Sequence, residues 1–129
     1  MKIHHVGYAV KNIDTSLNDF KKLGFKEITA RILDEQRSVF IQFIKNGDYV
    51  VELIEPSNDN SPINNILSKI GNSTYHLCYE IDDIEKSINE LKSDKYVIIE
   101  VSKEAIAINN KKVAFLYKKN IGIIELVEK

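Results

Sequence analysis

Residues 5–25, HVGYAVKNIDTSLNDFKKLGF, lie over residues 76–96, HLCYEIDDIEKSINELKSDKY, without a gap. His5 pairs with His76, Tyr8 with Tyr79, Ile13 with Ile84, Ser16 with Ser87, Asn18 with Asn89 and Lys21 with Lys92. The match resumes downstream, where VVELIE (50–55) lies over IIELVE (123–128) and sets Glu52 on Glu125. Self-similarity of this kind means one supersecondary unit used twice. Each copy offers a His on its first strand and a Glu on its last.

Within the first copy, residues 3–10 read as a strand because apolar and small residues alternate. Asn12 or Asp14 can cap a helix whose stripe is Leu17, Phe20 and Leu23, and Gly24 ends it. Residues 26–33, 38–45 and 49–55 read as three further strands, the last two joined at Asn46-Gly47-Asp48, a turn that accepts positive φ. The plan is β-α-β-β-β. Residues 57–72 form a linker in which Ser61-Pro62 opens a short helix. The second copy repeats the plan, with a strand over 74–81, a helix over 83–93 capped by Asp82 or Asp83, and strands near 96–101, 111–117 and 122–128. Residues 102–110, SKEAIAINN, read as a loop near the mouth of a site. The expected architecture is α+β: one domain over 1–129 made of two tandem βαβββ modules, about 1–56 and 73–129, in a curled half-barrel sheet with the helices outside.

Composition narrows the function classes. A chain of 129 residues with 43% hydrophobic content can build a core. Its net charge is −1, and no basic run is longer than a pair such as Lys111-Lys112, so the chain carries no nucleic-acid footprint. No apolar stretch is as long as a membrane span, and Met1 opens on a strand-like segment rather than a signal peptide. The single Cys78 has no partner for an internal disulfide, which fits a reducing, cytoplasmic setting.

Strand alternation tests whether the two His and two Glu can meet. His5 shares a face with Gly7 and Ala9, and His76 with Cys78 and Glu80. Glu52 and Glu125 each lie opposite aliphatic neighbours. The four therefore share the face turned away from the helices. Two imidazoles and two carboxylates suit Zn²⁺, Ni²⁺, Co²⁺, Mn²⁺ or Fe²⁺ with positions left for substrate oxygens. Singly, a strand His is usually an ordinary hydrogen-bonded residue, and a Glu near a strand end is usually solvated. Four at equivalent repeat positions are a different matter, because a duplicated sheet makes them converge.

Other candidates read as structural. His4 projects to the face opposite His5, in the core or on the surface. Cys78 reads as a buried, inert thiol. Glu55 and Glu128 fall on the other parity, exposed or salt-bridged, and Glu80 sits at the rim.

With the His5 and His76 strands, the ELIEP (52–56) and ELVEK (125–129) endings and the duplication in view, the chain resembles the vicinal oxygen chelate superfamily, which includes glyoxalase I, methylmalonyl-CoA epimerase, extradiol dioxygenases and bleomycin-resistance proteins. Residues 50–91 (VVELIEPSNDNSPINNILSKIGNSTYHLCYEIDDIEKSINEL), 111–119 (KKVAFLYKK) and 121–129 (IGIIELVEK) are most similar to the methylmalonyl-CoA epimerase-like branch. The resemblance implies metal ligands at His5, Glu52, His76 and Glu125, with Glu125 also the catalytic base. It implies proton transfer on a small carbonyl or acyl-thioester substrate through a metal-stabilised enolate, as an isomerase, an epimerase or a glyoxalase-like lyase, in a homodimer. There are departures from the branch: its second base aligns with Phe40, and its glycine-rich loop is replaced by AIAINNKK (105–112). The rivals are a drug- or metabolite-binding protein that uses the cleft without chemistry, and a ring-cleaving dioxygenase that would leave Glu52 unliganded.

Overall fold

A computed structural model describes all 129 residues as nine strands, three α-helices and one 3-10 turn. The elements are β1 (Lys2–Ala9), α1 (Ile13–Lys22), β2 (Lys26–Glu27), β3 (Ile32–Asp34), β4 (Val39–Asn46) and β5 (Tyr49–Pro56). There follow α2 (Ile63–Lys69), β6 (Ser73–Ile81), α3 (Ile84–Ser93), β7 (Val97–Ala105), the 3-10 turn (Ile106–Ile108), β8 (Lys111–Lys118) and β9 (Gly122–Glu128). The fold is mixed α+β, with the βαβββ order in the second half and, in the first, the same order with its second strand split into β2 and β3.

The chain divides into two compact units, Val6–Tyr75 and Met1–His5 with His76–Lys129. The cut passes through β1, so His5 belongs with the C-terminal half of the chain although the repeat itself runs contiguously.

In the unit Val6–Tyr75, β5 pairs in parallel with β1 and antiparallel with β4, which also carries the short β2 and β3. Asn12 caps α1, its side chain accepting the Thr15 N–H at 2.9 Å. The helix lays Ile13 and Leu17 on Val10, Ile44, Val51 and Leu53. Burying such aliphatic side chains contributes roughly 1.5–3 kcal/mol each, which is what holds α1 on the sheet.

The other unit repeats the construction. β6 pairs in parallel with β9, β9 antiparallel with β8, and β8 antiparallel with β7. Asp83 caps α3 by accepting the Lys86 N–H at 2.9 Å. Ile84 and Ile88 of α3 pack on Ala114, Leu116, Ile124 and Leu126. Tyr8 and Tyr79, matched in the repeat, each pack against the core of their own unit.

Two local expectations are corrected. Residues 26–33 form two short strands rather than one: Ile28 N–H bonds Phe43 O, and the Thr29 hydroxyl takes the Phe43 N–H, so side-chain bonding interrupts the ladder. Residues 102–105 extend β7 rather than opening a loop, and the turn that follows is made by Asn109 and Asn110 at φ 55° and 58°. Asparagine tolerates this left-handed region, so AIAINNKK turns without glycine. No helix is long and apolar enough to cross a membrane.

Candidate metal centre

β1, β6 and β9 supply three of the four predicted ligands within one unit. His5 Nε2 lies 3.0 Å from Glu125 Oε2, and His76 Nε2 lies 3.1 Å from the same oxygen. The two imidazole Nε2 atoms are 3.4 Å apart. All three residues are buried, at 1%, 4% and 3% exposure for His5, His76 and Glu125. The parallel register explains the meeting of the last two: Cys78, two residues beyond His76, stands opposite Glu125. Phe115 stands opposite Glu125 on the other side and sets its ring edge-on to His76, with centroids 5.4 Å apart.

The donor set fits a divalent ion. Metal–nitrogen and metal–oxygen bonds of about 2.0–2.2 Å imply ligand atoms roughly 3.0–3.5 Å from one another. The observed separations fall there, and all three atoms are ones that hold Zn²⁺-like metals. Burial works to raise the Glu125 pKa, but the hydrogen bonds from His5 and His76 outweigh it and hold the carboxyl well below its ordinary value. The group is an anion in a buried pocket.

Glu52 is buried at 3% on β5, in the unit Val6–Tyr75. It stands opposite Gly7 of β1 and Phe43 of β4. Its register repeats that of Glu125: Gly7 lies two residues beyond His5, as Cys78 lies two beyond His76. Phe43 and Phe115 occupy the same place beside the two carboxylates.

The remaining predictions separate. Cys78 is fully buried and forms no disulfide. His4 alternates with His5 along β1, yet its Nδ1 lies 2.8 Å from Nδ1 of His5. Burial, and then the adjacent His5 ring, lowers the His4 pKa. Glu55 and Glu128 are neither free nor salt-bridged, since each carboxylate accepts the first backbone N–H of a helix, Ile13 at 2.7 Å and Ile84 at 2.9 Å. Phe40 pairs across the sheet with Glu55 and packs on the α1 core. It therefore lies on the face opposite Glu52 and says nothing about a base on the Glu52 side. Sequence reading also missed a buried ion pair, Asp34 with the Arg37 guanidinium at 2.9 Å. Its only local signal was the three-residue spacing.

Comparison with known proteins returns a family model described as Glyoxalase/Bleomycin resistance protein/Dioxygenase superfamily over residues 4–115, a span that includes His5, Glu52 and His76. The mitochondrial methylmalonyl-CoA epimerase of Dictyostelium discoideum is 29% identical over 131 residues, covering 99% of this chain and 78% of that protein. A hypothetical protein of Bacillus halodurans superposes with TM-score 0.87 at 27% identity, covering 99% and 94% of the two chains. A variant of Streptomyces coelicolor methylmalonyl-CoA epimerase, solved in complex with 2-nitronate-propionyl-CoA, has TM-score 0.88 at 19% identity over 100% and 97%, a likeness of fold.

Proposed function

The chain belongs to the glyoxalase/bleomycin resistance protein/dioxygenase superfamily, and from that premise we propose that it is a divalent-metal-dependent proton-transfer enzyme of the methylmalonyl-CoA epimerase type. The observation that carries the reading is the convergence of His5 Nε2, His76 Nε2 and Glu125 Oε2 in a buried pocket. Epimerase relatives at 29% and 26% identity over nearly the whole chain support an acyl-thioester as the substrate class.

His5 and His76 would hold the ion, with Glu125 as third ligand. Glu52 would complete the set, because its register on β1 reproduces that of Glu125 on β6. A bound divalent ion would polarise a substrate carbonyl and so acidify the adjacent C–H. Glu125 is the group to move that proton. When ionised it has only acceptor sites, and its burial removes the water that would compete for them. Phe115, in register with Glu125 and edge-on to His76, supplies an apolar wall beside them. Positioned general-base catalysis of this kind contributes about 10²–10⁴-fold.

A homodimer accompanies this reading. The edge strand β7 exposes Val97, Ile99 and Val101, an apolar stripe that a second copy would cover.

The test is solvent exchange. Protein reconstituted in turn with Ni²⁺, Co²⁺, Zn²⁺ and Mn²⁺ is incubated in D₂O with methylmalonyl-CoA, and deuterium at C2 is followed by NMR. Metal-dependent incorporation that disappears in Glu125→Gln is the expected result. Tight metal binding with no exchange into this thioester or into a hemithioacetal would remove the enzyme reading.

A further inference from the structure

We propose that His4 is a positioning residue for His5: its Nδ1 accepts the His5 Nδ1–H and so directs the His5 Nε2 lone pair at the metal position. The assignment rests on the metal reading above. The two Nδ1 atoms are 2.8 Å apart, a hydrogen-bond distance. Neither two bare nitrogens nor two protonated ones can approach so closely with profit, so one proton lies between them. The rings meet edge to face, with centroids 5.1 Å apart and planes at 76°. That arrangement points an in-plane lone pair rather than a π-face at the neighbour.

The direction of the bond follows from the other end of the His5 ring. Nε2 of His5 faces Glu125 Oε2 at 3.0 Å and His76 Nε2 at 3.4 Å. To serve there as a ligand it must be bare, which in a neutral imidazole puts the proton on Nδ1. Ligating histidines usually anchor that second N–H on a carboxylate or a backbone carbonyl, and here a second imidazole takes the part. The repeat does not impose this. His4 corresponds to Tyr75, which has no ring nitrogen, so the device belongs to His5 alone.

Two variants separate hydrogen bonding from packing. In His4→Asn the side-chain oxygen stands where Nδ1 stood and still accepts, whereas His4→Leu fills the space without an acceptor. Zn²⁺-loaded protein is read by long-range ¹H–¹⁵N NMR, and Zn²⁺ affinity by competition with a chelator, after urea unfolding shows that both variants fold. The expected result is a downfield, slowly exchanging His5 Hδ1 resonance in wild type and His4→Asn that is lost in His4→Leu. Zn²⁺ affinity should fall about ten- to hundredfold in His4→Leu and return in His4→Asn. Equal affinity in all three proteins, or an equal loss in both variants, overturns the proposal. If wild type takes up no metal, the metal reading falls and spectra of the metal-free protein alone decide the hydrogen bond. Loss of the Hδ1 resonance in His4→Leu then upholds it, and persistence refutes it.

Discussion

Glu128 caps the helix that leans on its own strand: its Oε2 accepts the backbone N–H of Ile84, the first residue of α3, at 2.9 Å. Glu55 does the same for Ile13 at the start of α1, at 2.7 Å. The first N–H groups of a helix have no partner inside it, and an anion there also meets the positive end of the helix dipole. The duplicated ELIE and ELVE endings thus carry two acids with two tasks. Within each unit, Glu52 or Glu125 turns to one face of its own strands, and Glu55 or Glu128 fastens the helix on the other.

Removing either cap should therefore cost stability and leave metal binding alone. Glu55→Ala and Glu128→Ala are each expected to lose about 1 kcal/mol, within the range of about 0.5–2 kcal/mol typical of cap deletions. Glutamine keeps an acceptor and should lose less. Urea denaturation of the four variants reads both effects, and an unchanged midpoint in the alanine variants would show that the carboxylates do not support the helices.

Phe40 gives the second prediction. It packs on the α1 core, as Phe20 and Phe25 do, rather than on the Glu52 face. Introducing an acid there should not install a second base. Phe40→Glu is expected to lose roughly 2 kcal/mol or more, the penalty of burying a polar group without a partner, with no gain in the exchange rate at the substrate C–H. Faster inversion in this variant would place residue 40 at the site after all.

The fourth ligand is tested by Glu52. Glu52→Gln keeps the size of the side chain and removes its charge. Divalent-ion affinity should fall by at least about ten- to hundredfold, the loss already seen for residues that only support ligands. Unchanged affinity would leave a three-ligand site of His5, His76 and Glu125.

Much of this was legible because duplication doubles every signal. The His5 and His76 strands, both capped helices and the positions of Glu52 and Glu125 each appear twice, so local ambiguity in one copy is resolved by the other. What escaped was non-local. The Glu55–Ile13 and Glu128–Ile84 bonds join residues more than forty positions apart, and no spacing rule predicts them. Side-chain alternation sends His4 and His5 to opposite faces, yet Nδ1 lies close enough to the backbone for two neighbouring rings to reach each other. The split of 26–33 and the extension of β7 through Ser102, Lys103 and Glu104 reflect ladder partners and an edge position. Neither leaves a hydrophobic period to read.

The most direct measurement is the elemental content of purified protein reconstituted with Ni²⁺, Co²⁺, Zn²⁺ or Mn²⁺, set beside Glu125→Gln treated in the same way. One divalent ion per chain in wild type, lost or markedly weakened in the variant, is the predicted result for a centre built on His5, His76 and Glu125. A wild-type protein that retains no ion from any of the four metals would contradict it.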